Sequence, residues 1–215
     1  APRGPDGQPD LTGVWNGPPP LVRLDSATLQ QWVTDLVRQR QQEYYKTRPV
    51  YRCQPSGPES QRFGGWKRFL QTPTAIAILN GDLTYRVIHM DGRELEADPF
   101  PSWAGYSVGR WAGDTLVVET TNFTDKTRFQ RSSEALHVVE RFTRVDADTI
   151  LYEFTVDDPT SWTSPWSAEI PMVKTEGPLF EYACHEGNYD VRPLLEIYRN
   201  LEIQAAADAS PQDSK

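Results

Sequence analysis

The chain has three histidines, His89, His137 and His185. Within LHVVERF, His137 and Glu140 fall on opposite faces of a regular strand, so only one of the two side chains points inward. His137 could act as a general base with a carboxylate behind it, since imidazole changes charge near neutral pH. The alternative is that Glu140 and its neighbour Arg141 are only members of cross-strand ion pairs.

A second pair of chemically active groups, His185 and Glu186, lies in CHEGNYD beside Cys184. Anchoring at a barrel rim would suit proton transfer, because reactive groups must be held close to the productive geometry. The alternative is a strand end with solvated polar groups. A site with all three histidines on one metal would need a shared inward face, and no HxH or HExxH spacing supports it. We therefore expect no metal and no cofactor.

Aromatic and basic residues are concentrated in PSWAGYSVGRW, which contains Trp103, Tyr106, Arg110 and Trp111. This combination suits the binding of an aromatic or sugar ring by stacking and cation–π contacts. Arg110 or Arg141 could stabilise developing negative charge on a substrate. The alternative is that the rings simply fill a barrel. The absence of a GxxxxGK[ST] loop and of a GxSxG elbow argues against nucleotide hydrolysis and α/β-hydrolase chemistry.

Eight β-rich segments separated by turn signals such as NGD, AGD and VDAD must position these groups. The segments are Thr74–Leu79, Leu83–Met90, Tyr106–Trp111, Thr115–Phe123, Ala135–Arg144, Thr149–Val156, Trp166–Lys174 and Leu179–Cys184. Short links between consecutive strands favour an eight-stranded antiparallel up-and-down barrel of the lipocalin kind, whose interior can hold one small ligand. A two-sheet sandwich is the alternative fold.

The remaining segments flank this barrel. Residues 1–25 hold much of the proline and are expected to form an extended arm. Apolar residues recur at helical spacing after Ser26, a plausible N-cap, which predicts an amphipathic helix over residues 27–46 outside the barrel. A single barrel domain with this helix and a short final helix then spans residues 26–204. Residues 205–215 are predicted to be a disordered tail.

The net charge of −8 over 215 residues argues against binding nucleic acid or an anionic membrane through a general electrostatic field. No apolar run approaches the roughly 18 residues of a membrane span. The expected partner is a small molecule, aromatic or sugar-like, and the oligomeric state stays open.

The chain has two cysteines, Cys53 and Cys184, which have no CxxC spacing. Whether they form a disulfide depends on the cellular compartment. The start APRGPDGQPDL, without a Met, fits a mature N-terminus left after signal-peptide removal. In an exported protein the two cysteines are expected to form a disulfide. Two buried free thiols are the alternative.

Three long phrases carry a family resemblance: PDGQPDLTGVW, HMDGRELEADPFPSWAGYSVGRWAGDTLVVETTNF and SEALHVVERFTRVDADTILYEFTVDDPTSWTSPW. Over about residues 5–190 the chain resembles a large, mostly uncharacterised family of exported bacterial proteins. The resemblance implies a secreted or periplasmic bacterial protein, and it implies no established activity.

Two functions are consistent with these observations. The first is a cofactor-independent lyase, isomerase or hydrolase that holds an aromatic or glycosidic molecule in the barrel and moves a proton with His137 or His185. The second is a lipocalin-like binding protein that uses the same cavity without chemistry. Polar residues on both faces of several strands favour the enzyme.

Overall fold

In a computed structural model, the chain forms a closed barrel of nine strands, and the described residues also form two helices. The structure describes residues 1–18, 29–43, 53–55, 57, 65–81, 84–95, 100–126, 132–181, 183–186 and 191–208. The strands are β1 (Gly13–Gly17), β2 (Gly65–Gln71), β3 (Ala75–Asn80), β4 (Tyr85–His89), β5 (Tyr106–Ala112), β6 (Thr115–Thr121), β7 (His137–Arg144), β8 (Thr149–Asp157) and β9 (Trp166–Thr175). The helices are α1 (Gln31–Gln42) and α2 (Val191–Asp208).

Each strand pairs with the next one along the chain, and β1 closes the barrel by pairing with both β2 and β9. Trp15 on β1 lies opposite Lys67 on one side and opposite Lys174 on the other. Closure removes both sheet edges, which would otherwise expose unpaired backbone groups. The predicted barrel is therefore confirmed, but its strand number is nine rather than eight.

The strand assignments explain this difference. Seven of the eight predicted segments are strands, whereas the described residues of Leu179–Cys184 form no strand. Two strands were missed: β1 lies within the predicted extended arm, and β2 lies between the predicted first helix and the first predicted strand. Since β1 already pairs with β9, the segment after β9 has no open edge to join.

The predicted antiparallel order is wrong at one place, because β4 and β5 pair in parallel through Ile88 opposite Ser107 and His89 opposite Val108. The connection over residues 90–105 is long enough to carry the chain back to the end at which β4 begins. Gly109 permits the close approach of the two strands. A Cβ atom there would lie 2.6 Å from Met90 Sδ and 2.7 Å from Ile88 Cγ2.

Helix α1 lies at one end of the barrel, named here the α1 end, where Gly17 pairs with Gly65 as β1 ends and β2 begins. Leu29 bridges Trp162, and the Gln30 amide donates a hydrogen bond to the Ser161 carbonyl at 2.9 Å. These contacts fix the start of the helix against the loop between β8 and β9. The opposite end, named the hairpin end, carries the turns between β5 and β6 and between β7 and β8.

The predicted helices are present with different bounds. The first covers residues 31–42 of the predicted 27–46, and the final helix runs to Asp208, into the segment predicted to be a disordered tail. None of the described helices is both long and apolar enough to cross a bilayer. Parts of the predicted elements lie outside the described residues, namely residues 19–28, 44–46, 83, 182 and 209–215.

Buried aromatic and aliphatic side chains fill the barrel lumen toward the hairpin end. The Phe142 ring stacks on Tyr152 with centroids 4.6 Å apart and meets the edge of Phe69 at 5.4 Å. Aliphatic residues from five strands complete this packing, namely Ile76, Ile78, Ile88, Leu116, Ile150 and Met172. Burying each large side chain contributes roughly 1.5–3 kcal/mol, so this half of the lumen supplies much of the stability.

The predicted disulfide between Cys53 and Cys184 is confirmed, with the two Cα atoms 5.7 Å apart. The bond joins residues separated by 131 positions. It ties the connection between β1 and β2 to the segment that follows β9.

Candidate functional site

A buried ion pair crosses the barrel lumen between β4 and β7. Arg86 donates two hydrogen bonds to Glu140, from Nη1 to Oε2 at 2.5 Å and from Nη2 to Oε1 at 2.7 Å. The two side chains are only 5% and 1% exposed. Tyr152 on β8 donates its hydroxyl to Glu140 Oε1 at 2.7 Å. Arg86, Glu140 and Tyr152 are named here the lumen cluster.

Strand alternation puts these three side chains inside the barrel. Arg86 shares the inward face of β4 with Ile88, and Glu140 lies between inward Val138 and Phe142 on β7. Side chains two positions apart on a strand point to the same face. Charged and apolar residues therefore lie side by side on the inward faces of β4 and β7.

Further polar groups extend the lumen cluster around the barrel wall. Thr120 Oγ1 on β6 lies 3.5 Å from Arg86 Nη1 and 2.9 Å from Ser107 Oγ on β5. Nearer the α1 end, buried Lys67 donates to Asn80 Oδ1 at 3.1 Å. Most polar side chains of the lumen thus lie toward the α1 end, whereas the hairpin end is apolar apart from buried Arg144, whose guanidinium lies 5.2 Å from the Trp15 ring centroid.

The pKa of the Arg86 guanidinium reflects two opposed effects. Burial lowers the pKa, but the charge of Glu140 and its hydrogen bonds outweigh burial, so the pKa is raised above its ordinary value. Arg86 therefore stays cationic, and the lumen cluster holds a full ion pair away from water. Removing two charges from water costs several kcal/mol per ion, and apolar residues of similar volume often serve stability as well or better. Stability alone thus gives no reason for this pair, which makes it a candidate functional site.

The lumen cluster and its surroundings retain buried donors. Arg86 Nε and Trp162 Nε1 are both buried, and neither makes a hydrogen bond within the part of the chain that the structure describes. Such groups cost free energy unless a partner satisfies them. A row of rings connects the two positions, with centroids 5.5 Å apart for Tyr152 and Phe154, 5.7 Å for Phe154 and Trp166, and 6.0 Å for Trp166 and Trp162.

His137 lies on the outer face of β7, so Glu140 is the member of the predicted pair that points inward. His137 Nε2 is 3.7 Å from Glu119 Oε2, and Glu119 Oε1 accepts a hydrogen bond from Arg110 Nη1 at 2.7 Å. A histidine backed by a carboxylate is thus present, but on the outside of the barrel. Its catalytic role stays a prediction.

The other predicted site residues are dispersed. Trp111 packs against the core from the inward face of β5, whereas Tyr106 faces outward and lies 5.3 Å from the His89 ring. Trp103 is half-buried, with Lys126 Nζ 6.0 Å from its ring centroid. The remaining two, Arg141 and His185, are exposed. Within the described residues, no group of three or more His, Cys, Asp or Glu side chains could hold a metal ion.

Sequence reasoning missed Arg86 and Tyr152. The signal in the sequence was the spacing of side chains along the strand. In YRVIH, Arg86 is two positions from Ile88 and therefore shares its face. Tyr152 likewise alternates between Ile150 and Phe154 in β8. Reading which charged residues share a strand face with aliphatic ones would have identified both.

No protein-family model, curated protein or solved structure matches the chain. The resemblance to exported bacterial proteins therefore stays a prediction.

Proposed function

We propose that the protein binds a small organic molecule at the α1 end of the barrel lumen, with the lumen cluster as its polar anchor. The observation that carries this proposal is the burial of a complete Arg86–Glu140 ion pair where apolar packing would serve the fold as well. Small-molecule sites typically combine apolar walls with a few placed polar groups, and this half of the lumen has that composition.

The surrounding groups define the chemical class of the ligand. Trp166, the partly exposed member of the ring row, would provide a flat apolar contact for an aromatic or sugar ring. The buried N–H groups of Arg86 Nε and Trp162 Nε1 favour a ligand with hydrogen-bond acceptors, such as a carbonyl, hydroxyl or carboxylate oxygen. Apolar side chains and buried Arg144 fill the hairpin end, so entry from the α1 end is the favoured route.

A cofactor-independent enzyme is the second candidate, and the 2.7 Å hydrogen bond between Tyr152 and Glu140 favours it. A carboxylate and a phenol in contact can exchange a proton, and Arg86 could stabilise negative charge that develops on a bound molecule. Turnover in this lumen would use Glu140 rather than the outward His137. We propose a lyase or isomerase on this basis.

The disulfide supports a location outside the reducing cytosol, because such bonds persist mainly in oxidising compartments. We therefore propose that the protein is secreted or periplasmic.

The test is a thermal-shift screen with phenolic carboxylates, neutral phenols and sugars, followed by calorimetric titration of any compound that raises Tm. A ligand at 100 times its Kd should add about 2.7 kcal/mol to stability. Trp162→Phe keeps an aromatic side chain but removes the N–H group, and it should weaken binding about tenfold. Trp66→Phe is the matched control, because Trp66 is exposed, and it should bind as the wild type does.

The lumen site would be refuted if no compound of the three classes raises Tm. Equal ligand affinity of Trp162→Phe and the wild type would refute it as well. Product analysis for each bound compound separates the two candidates. Turnover that Tyr152→Phe abolishes, with the Arg86–Glu140 pair and ligand binding retained, supports the enzyme, and binding without turnover supports the binding protein.

A further inference from the structure

A cleft of about 440 Å³ lies on the outside of the barrel, away from the lumen cluster. One wall is the outer surface of β2–β4, and the other is the segment over residues 179–181 that follows β9. Its size falls within the range of pockets that hold small organic ligands, roughly 300–1,000 Å³. The lining residues are Arg68, Leu79, Asn80, Thr84, Tyr85, Leu179, Phe180 and Glu181.

Two aromatic side chains on the walls of this cleft are largely exposed. Tyr85 on β4 is 68% exposed and Phe180 is 76% exposed. Leu79 and Leu179 supply further apolar surface. Large exposed aromatic groups beside apolar surface in a concave site suit the stacking of a planar ring.

The cleft also carries one charge of each sign. Arg68 lies on the outer face of β2, and Glu181 lies on the facing segment. Within the described chain neither side chain forms an ion pair, so both are available to a ligand. A guanidinium binds carboxylates through directed N–H groups, and a carboxylate accepts hydrogen bonds from an ammonium group.

From these observations we infer a second ligand site in this cleft, for a planar aromatic molecule that carries both an anionic and a cationic group. The ring lies between Tyr85 and Phe180, the anionic group meets Arg68, and the cationic group meets Glu181. An aromatic amino acid is the simplest molecule of this class. The four side chains assigned to the ligand are outward or follow β9, which separates this site from the proposed lumen site, although Asn80, which bonds Lys67 in the lumen, also lines the cleft.

The disulfide restrains the segment that forms one wall of this site. Phe180 and Glu181 lie just before Cys184, which is bonded to Cys53. The bond therefore holds the wall that supplies one ring and one charge, although this wall has no regular secondary structure. Holding a loop in the bound conformation reduces the entropy lost on binding.

The experiment is calorimetric titration of the full chain with L-tryptophan and three analogues that each lack one feature. Indole-3-propionate lacks the amine, tryptamine lacks the carboxylate, and glycine lacks the ring. We expect saturable binding of L-tryptophan, about tenfold weaker binding of indole-3-propionate and tryptamine, and no detectable binding of glycine. Absence of tryptophan binding at millimolar concentration overturns the site, and equal affinity of either charged analogue overturns the two-charge requirement.

Variants locate the binding. Arg68→Gln and Glu181→Gln should each weaken L-tryptophan binding about tenfold, and both replace exposed groups, so the fold should be unaffected. Arg199→Gln is the matched control, since Arg199 is an exposed arginine outside the cleft, and it should bind as the wild type does. Trp162→Phe should also retain tryptophan affinity, which separates this site from the lumen. Wild-type affinity in both cleft variants would place the binding elsewhere and refute the inference.

Discussion

Removing one member of the Arg86–Glu140 pair should destabilise the protein far more than removing both charges. Arg86→Met takes away two hydrogen bonds, of 2.5 and 2.7 Å, and leaves the Glu140 carboxylate buried with the Tyr152 hydroxyl as the donor that remains from the lumen cluster. Breaking a buried pair in this way costs about 3–5 kcal/mol. For a chain of this size the corresponding decrease in Tm is roughly 6–20 °C.

The double variant Arg86→Met/Glu140→Gln removes both charges, and the new side-chain amide oxygen can still accept the Tyr152 hydroxyl hydrogen bond. Its free energy of unfolding should therefore lie closer to that of the wild type than the sum of the single effects predicts. We expect a coupling energy of about 2 kcal/mol or more, which is within the range for residues in direct contact.

The assay is guanidinium denaturation of the wild type, both single variants and the double variant at one pH, followed by tryptophan fluorescence and circular dichroism. Coincident transitions from the two probes support a two-state treatment. A loss of less than about 1 kcal/mol in both single variants, or additivity within about 0.5 kcal/mol, would refute the reasoning that this pair is buried and coupled.

Three further predictions concern a strand contact, the disulfide and a surface ion pair. Gly109→Ala should cost about 1–3 kcal/mol in denaturation, because its Cβ would overlap the Met90 and Ile88 side chains, whereas Gly81→Ala meets no atom closer than 4.0 Å and should cost less. Reduction should lower the free energy of unfolding by about 5 kcal/mol on the chain-entropy model for a separation of 131 residues, and an unchanged denaturation curve would contradict it. An NMR titration should give Asp91 a pKa of about 2, because Arg93 donates hydrogen bonds to its carboxylate, and Arg93→Gln should raise this pKa toward about 3.9. Since the folded pKa lies below the unfolded one, the stability from this pair is present above about pH 4 and is lost as the pH falls through 2; an Asp91 pKa near 4 in the wild type would contradict the assignment.

Periodicity predicted most of the strands because their alternation is strong. β8, TILYEFTVD, buries every second side chain, and the same pattern is readable in its sequence. β1 and β2 were missed because GVWNG is short and bounded by glycine, and GWKRFLQ carries two charges. Pairing across the closed barrel, rather than local preference, makes these two segments strands.

The candidate site was only partly predictable for a related reason. Alternation showed that His137 and Glu140 point to opposite faces, but it could not say which one faces inward. The charge of Glu140 predicts an outward position for its side chain. Its inward position depends instead on Arg86, which is 54 residues away in the sequence. A partner at that distance leaves no local signal. The disulfide was predictable because the chain has only two cysteines.

The pairing of β1 with β9 has a consequence for synthesis of the chain. Residue 13 leaves the ribosome early, but its segment completes the barrel only when the segment ending at residue 175 has been made. At 5–20 residues per second, that interval is on the order of ten to thirty seconds. During this time the edges later covered by β1 and β9 stay open to strands of other chains. Cys53 likewise waits for the synthesis of 131 further residues before Cys184 is available, so the disulfide forms only after the last strand has been made.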